Sequence, residues 1–225
     1  MNIIAIIPAR GGSKGIPKKN LANFCGKPLL EYTIQTSLEC QAISQTYVSS
    51  DDEEILSLAR KLGAIPMKRP DNISGDTATS ESALINVLES INEQPDAVCF
   101  LQATSPLRTV EDIDNAVKEY TSKRLDSLFS ASPVEDFFVW HVEPGGVLKG
   151  LNHDFENRKR RQDISNQIVE NGSIYIFKPE ILTKHNNRLG GIIGYSLMDS
   201  WKVHEIDSEL DLELCQFLYK QRIKK

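Results

Sequence analysis

Short apolar runs alternate with amphipathic stretches along most of the chain. That alternation predicts an α/β fold, a mostly parallel sheet flanked by helices. Residues 3–7 are a continuous Ile/Ala run, the pattern of a strand buried on both faces. After a glycine-rich loop, Pro28 opens a helix that places Leu30, Ile34 and Leu38 on one face. Residues 46–49 read as a strand, and Asp51 and Asp52 then start a helix with Ile55, Leu58, Ala59 and Leu62 as its stripe and Gly63 as its stop.

The rhythm continues with a helix carrying Ala83, Leu84, Val87, Leu88 and Ile91, then a buried strand over residues 97–101. Thr109 and Asp112 have the spacing of a capping box, ahead of a helix that turns Val110, Ile113, Val117 and Tyr120 inward. Residues 128–130 form the next strand. From about residue 135 to 170 the pattern breaks: Pro133, Pro144, Gly145, Gly146 and Gly150 punctuate a polar stretch without helical periodicity, which predicts an inserted arm. Strands are expected again over 172–177, 192–197 and 203–207. A last helix, N-capped by Ser208 with Asp211, carries Leu210, Leu214, Phe217 and Leu218 as its apolar stripe. One domain over residues 1–225, with the arm inserted at about 135–170, is the expected organisation.

Composition removes several alternatives. The 225 residues are 40% hydrophobic and 25% charged, too apolar for an intrinsically disordered chain. Cys25, Cys40, Cys99 and Cys215 are widely spaced with no CxxC pair, so a disulfide-stapled scaffold is not expected. A bilayer-spanning helix takes about 20 apolar residues, and the longest clean run is 3–7. Pro8 and Arg10 interrupt it too early for a signal peptide, so the expectation is a cytoplasmic protein with reduced thiols and no membrane partner. The net charge of −5 argues against nucleic acid. Positive charge is nevertheless concentrated in two places: Arg10, Lys14, Lys18 and Lys19, and Arg158, Lys159, Arg160 and Arg161. An acidic chain that gathers cations locally is suited to holding a small anion there.

The first cluster sits in the most informative segment, Pro8-Ala9-Arg10-Gly11-Gly12-Ser13-Lys14-Gly15-Ile16-Pro17-Lys18-Lys19-Asn20. It follows a buried strand and therefore lies at the carboxyl edge of the sheet, where open α/β folds bind ligands. Its glycines allow backbone N–H groups to approach a phosphate, and its cations match a polyphosphate. Glycines at 11, 12 and 15 do not make the G-x-G-x-x-G of dinucleotide folds. Gly26-Lys27 is followed by Pro28 and has Leu21 where a P-loop has glycine. A dehydrogenase and a P-loop phosphotransferase are both disfavoured. There is no G-x-S-x-G elbow for a serine hydrolase, and His141, His153, His185 and His204 form no metal-binding pattern.

This loop, with Asn23-Phe24-Cys25-Gly26-Lys27-Pro28-Leu29, resembles the opening of the acylneuraminate cytidylyltransferases, or CMP-sialic acid synthetases. The resemblance runs through Arg69-Pro70, Asp76-Thr77-Ala78, Leu101-Gln102-Ala103-Thr104-Ser105-Pro106-Leu107-Arg108, Glu170-Asn171-Gly172-Ser173-Ile174-Tyr175 and Glu205-Ile206-Asp207, covering nearly the whole chain in order. It implies a three-layer, Rossmann-like nucleotidyltransferase that joins CTP to an acidic nine-carbon sugar, such as N-acetylneuraminate, with release of pyrophosphate. Related acids, namely legionaminic, pseudaminic and the eight-carbon octulosonic acid, remain alternatives for the sugar. A non-catalytic nucleotide-sugar-binding homologue and a glycosyltransferase are the alternatives for the class.

By the same resemblance, Arg10, Gly11, Gly12, Ser13, Lys14 and Lys19 hold the triphosphate, with Arg10 and Lys19 acting in catalysis and Lys19 first choice for the transition state. Asn20, Arg69 and Ser80 contact the nucleotide. Gln102, Arg161 and Asn171 face the sugar, Arg161 gripping its carboxylate as a guanidinium fork. Asp207 and Glu205 carry Mg²⁺ or Mn²⁺; two apart in the strand expected over 203–207, they point to one face. The family usually has Asp-x-Asp where this chain has Glu-Ile-Asp, and often proline at Ala103. The arm implies a homodimer.

Overall fold

The computed structural model describes residues 1–13, 15–75, 78–134, 137–160 and 167–224. In chain order the elements are β1 (Ile3–Pro8), β2 (Asn23–Phe24), β3 (Lys27–Pro28), α1 (Leu29–Glu39), β4 (Gln45–Ser50), α2 (Glu53–Leu62), β5 (Ile65–Lys68), α3 (Ser80–Ser90) and β6 (Ala97–Leu101). They continue with α4 (Val110–Ser122), β7 (Ser127–Pro133), β8 (Trp140–Val142), β9 (Leu148–Gly150), β10 (Ile168–Phe177), α5 (Pro179–His185), β11 (Ile193–Leu197) and α6 (Glu209–Arg222).

The main sheet has seven strands in the order β11-β7-β10-β6-β1-β4-β5. β1 pairs in parallel with β4 and β6, and β7 with β11; β10 alone runs antiparallel, between β6 and β7. After β5 the chain returns to the other side of β1 as β6. The strand order therefore reverses between β1 and β6, and a crevice opens beyond their carboxyl ends.

β1 alternates between the two faces of the sheet. Ile3, Ala5 and Ile7 join Leu30, Ile34, Ile55, Ala59, Ile113 and Tyr120 of α1, α2 and α4. Ile4 and Ile6 meet Leu84, Val87 and Leu88 of α3 and Leu182 of α5. The result is the expected three-layer fold. The helix stops and starts are local chemistry: Asp52 Oδ1 accepts from the Glu54 N–H at 2.7 Å, and Gly63 closes α2 at φ 93°. Capping boxes begin α4 at Thr109 and Asp112 and α6 at Ser208 and Asp211.

Three expectations are corrected. Residues 203–207 are not a strand: Ser200–Val203 is a 3₁₀ turn, and the chain beyond it touches the sheet region through one backbone bond, Ile206 N–H to Thr104 O at 3.0 Å. On α6, Leu210 and Phe217 are 73% and 60% exposed, while Cys215 is buried with Phe24 and Tyr32, and Leu212, Leu218 and Tyr219 pack around that cluster. The helix docks through that stripe onto α1 instead of the one its sequence shows most strongly. On α1, Leu38 is exposed, so its inward face ends at Ile34 and Ser37.

Within the arm, β8 and β9 pair as an antiparallel hairpin separate from the main sheet. Trp140, His153, Phe155 and Phe138 form a small aromatic cluster, with the Arg158 guanidinium 4.5 Å from the Phe138 ring centre. Arg158 lies over that ring while remaining exposed. No helix among the described residues is long and apolar enough to cross a membrane. The four cysteines are free thiols, three of them buried.

Candidate functional site

A cleft of about 470 Å³ opens at the β1/β6 crevice. Its described lining brings together Arg10, Ser13, Lys19 and Asn20 of the first loop, Arg69 after β5, Ser80 at the start of α3, Gln102 after β6, and Asp207 near the C-terminus. These residues are distant in sequence, and the reversal of strand order is what gathers them. Lys14 and Arg161 lie outside the described residues.

The first loop is braced from several sides. The Asn20 Nδ2 donates to Arg10 O at 2.9 Å, while its buried Oδ1 has no partner among the described residues. The Gly11 N–H donates to Asp51 Oδ1 at 2.9 Å, and neither Gly11 nor Gly12 belongs to the cleft lining. Lys18, in a left-handed conformation at φ 49°, sends its ammonium to Glu54 on α2, 2.6 Å away. Lys19 Nζ instead crosses to the C-terminal segment, donating to Ile206 O and to Asp207 Oδ1, both at 2.8 Å. Gly15 is required here, because a Cβ at that position would collide with the Asp207 carbonyl.

Arg69 is buried and donates from Nη2 to Ser49 O at 2.8 Å and from Nε to Ser49 Oγ at 3.2 Å. Burial lowers its pKa, and Arg10 nearby opposes a further charge. Gln102 Nε2 donates to Glu205 Oε2 at 2.5 Å and to Thr104 Oγ1 at 3.1 Å. Burial, reinforced by repulsion from Asp207, pushes the Glu205 carboxyl up to about 7. Gly172 makes room for it: any side chain there would strike Glu205. Glu205 and Asp207 flank the buried Ile206, but they differ in setting, Glu205 half-buried against Gln102 and Asp207 exposed beside Lys19. The shared strand face expected for them is not what holds them.

Asn171 sits within β10 at its bulge, not just ahead of it, and its amide is turned into the sheet. Its Oδ1 accepts from Ser130 Oγ at 2.5 Å, and its Nδ2 donates to Ser132 Oγ at 3.1 Å. Beside it, the fully buried Arg108 donates to Ser173 O at 2.7 Å and Ser173 Oγ at 3.0 Å, which ties the loop after β6 to β10. Burial lowers the Arg108 pKa to about 10.

Two lining residues carry no sequence signal. Phe100 lies in a strand interior, and Arg188 falls in a turn after α5 that matches no motif. Arg188 reaches the cleft because its guanidinium rests on the Phe100 and Tyr175 rings, 5.0 and 4.6 Å from their centres.

A parallel sheet with a cationic, glycine-containing loop at its switch point defines a nucleotide-binding α/β protein. A family model for the cytidylyltransferases matches residues 4–223, and the chain belongs to that family; it is a nucleotidyltransferase. It is 32% identical over 228 residues to the pseudaminic acid cytidylyltransferase of Campylobacter jejuni subsp. jejuni serotype O:23/36, covering 98% of this chain and 97% of that one. It is 34% identical over 212 residues to N-acylneuraminate cytidylyltransferase A of Danio rerio, covering 93% of this chain and 49% of that longer protein. The fold is shared with a CMP:2-keto-3-deoxy-manno-octonic acid synthetase solved with CTP, at a TM-score of 0.76, 16% identity and 99% and 100% coverage. It is shared also with 4-diphosphocytidyl-2C-methyl-D-erythritol synthase of Anaerococcus prevotii, at 0.68, 14% identity and 98% and 99% coverage.

Proposed function

We propose that this chain joins CTP to a nonulosonic acid, giving the CMP-sugar and pyrophosphate. The observation that carries the reading is the cleft itself, where a cationic first loop and the Glu205–Asp207 segment meet through Lys19. The similarity to the pseudaminic acid and N-acylneuraminate enzymes supports a nine-carbon acid as the acceptor. The full-length match to the former favours a diacetamido acid as the second reading for the sugar.

In this reading Arg10, Ser13, Lys14 and Lys19 hold the triphosphate, with backbone at Gly11 and Gly12 allowing its approach. Asn20, Arg69 and Ser80 hold the nucleoside; Asn20 Oδ1, which has no partner among the described residues, is an acceptor for a ligand N–H or O–H. The anomeric hydroxyl attacks the α-phosphorus and pyrophosphate leaves. Charge gathers on the phosphoryl oxygens and the leaving group, so Lys19 and Arg10 act by positioning and by stabilising that charge. Gln102 orients the sugar, and Arg161 grips its carboxylate through paired hydrogen bonds that a lysine does not reproduce. Asn171 acts from behind, fixing β10 through Ser130 and Ser132.

The donor set fits Mg²⁺ or Mn²⁺: two carboxylates close enough to repel one another, at a phosphate-binding cleft. Asp207 would be the principal ligand and Glu205 the secondary one, and a cation held there would supply charge neutralisation at the phosphates.

The exposed apolar residues of the arm, Phe137, Val142, Leu148 and Leu151 among them, support a homodimer formed through it, and sedimentation velocity tests this. The absence of any membrane-spanning helix among the described residues is compatible with a cytoplasmic enzyme. The decisive experiment is pyrophosphate release with CTP and a panel of acids: N-acetylneuraminate, the diacetamido nonulosonic acids and the eight-carbon octulosonate. Turnover confined to the eight-carbon acid, or none with any acid, overturns the reading.

A further inference from the structure

The wall of the cleft opposite Arg69 carries a guanidinium that the triphosphate chemistry does not use. Arg69 is held by Ser49 on β4, on one side of β1. Arg188 lies on the other side, across the stacked rings of Phe100 from β6 and Tyr175 from β10, whose centres are 5.5 Å apart at 14°. Phe100 in β6 is two residues ahead of Gln102, which lies just beyond the strand, so Arg188 belongs to the half of the cleft assigned to the acid. Its Nε donates to Glu81 Oε1 at 2.9 Å, and its Nη2 is 2.8 Å from the same oxygen. Both side chains are largely covered, at 23% and 14% exposure. The guanidinium is therefore fixed in plane by two rings and in direction by one carboxylate. Among the described residues no acceptor meets Nη1.

Arg188 carries its own counter-charge. Glu81 already neutralises it, so it offers hydrogen-bond donors without offering a net positive charge. A phosphate or carboxylate gains little there, whereas a neutral carbonyl oxygen finds a rigid pair of N–H groups. Phe100 beneath it, also part of the cleft lining, supplies apolar wall for the alkyl part of such a group.

We propose that Arg188 is a specificity residue that recognises the carbonyl of an acylamido substituent on the acid substrate. The proposal rests on the reaction given above and adds to it the chemical class that the acid must carry. It also explains how a guanidinium stands beside a polyanion-binding loop without competing for the triphosphate.

The test uses the full chain, with pyrophosphate release as readout. Two acids are compared: an acetamido-bearing nonulosonic acid that the wild type turns over, and its analogue with hydroxyl in place of that acetamido group. Arg188→Ala should raise KM for the acetamido acid by about tenfold or more, the scale of one charge-assisted hydrogen bond. KM for the hydroxyl analogue should change less than about threefold and KM for CTP less than about twofold, so the preference between the acids collapses. Arg188→Gln, which keeps a planar donor without the charge, should shift the preference in the same direction by less, and it serves where the alanine variant is unstable. Glu81→Gln with Arg188→Ala should lose no more than Arg188→Ala alone, because both act through one guanidinium. Equal losses on both acids, an unchanged preference, or a rise confined to KM for CTP overturns the assignment. A wild type inactive with every acid overturns the reaction itself, and this inference with it.

Discussion

Lys19 Nζ donates to Asp207 Oδ1 at 2.8 Å, although 188 residues of chain separate them. The lysine is 15% exposed and the carboxylate 77% exposed, so the ammonium is held in place while its partner remains open to the cleft mouth. A second bond, to Ile206 O, fixes the lysine independently of the carboxylate. In the proposed reading, an arriving triphosphate would compete with Asp207 for the ammonium, and the freed carboxylate oxygen would be available to a cation. One contact couples the first loop to the segment that carries Glu205 and Asp207.

Lys19→Ala removes the cation that bridges these two parts. Turnover should fall by about 10²–10³-fold, the loss usual for one charge-stabilising donor. KM for CTP should rise less, since Arg10 and Ser13 still line the phosphate end of the cleft. Steady-state kinetics with each substrate varied separates the two effects. A change confined to KM means that Lys19 binds without assisting the chemistry.

Asp207→Asn leaves Lys19 its carbonyl partner and preserves the local fold, but it removes one negative charge from the cation site. Turnover at ordinary Mg²⁺ should fall by more than about tenfold and recover in part as Mg²⁺ is raised, because the loss is one of affinity. Titration of activity against free Mg²⁺ decides it. An unchanged Mg²⁺ midpoint, or full wild-type activity in excess chelator, removes Asp207 from the metal site.

Glu205 supplies a pH test. Its carboxyl is pushed from an ordinary value of 4.5 up to about 7, first by burial and then by Asp207. Between those values the folded protein holds a proton that the unfolded chain has released, so stability falls as pH rises through that window. Above about 7 the full cost of the buried carboxylate is present. Glu205→Gln should match the wild type near pH 5, melt higher at pH 8, and show a flatter profile between. The comparison belongs in metal-free buffer, since a bound cation lowers the same carboxyl. Parallel melting profiles for the two proteins would show that Glu205 does not titrate in this range.

The sheet, its two helical faces and the first loop were legible because each is written in local sequence: the Ile run of β1, the Asp52 cap, the Thr109–Asp112 box. What escaped was tertiary. The segment 203–207 has the alternation of a strand, yet among the described residues its one backbone bond to the sheet region is Ile206 N–H to Thr104 O, and a strand needs a ladder. β5 was missed because Pro66 interrupts a four-residue edge strand. Leu210, Leu214 and Phe217 make a stronger apolar stripe than the Cys215–Tyr219 face, but docking onto Phe24 and Tyr32 selects the latter through edge-on ring contacts. Arg188 left no trace in sequence, because its place depends on two rings from different strands.

Lys202 anchors the segment that carries both carboxylates. Its ammonium lies 2.8 Å from each oxygen of Asp112, and the two side chains are 9% and 8% exposed. Asp112 also caps α4, accepting from Thr109 N–H at 2.8 Å and Oγ1 at 2.9 Å. Lys202→Met removes the charge and leaves a buried carboxylate facing an apolar side chain. Breaking a buried pair from one side costs about 3–5 kcal/mol, and the surviving cap bonds place the loss at the lower end of that range. Changing Asp112 to Asn as well relieves the unpaired charge, so the double variant should lose less than the sum of the single losses. Urea unfolding of the wild type, both single variants and the double variant measures the coupling. A loss below about 1 kcal/mol for Lys202→Met would put the pair with exposed ion pairs, and the anchoring of residues 204–207 would then rest on their bonds to Lys19, Gln102 and Thr104.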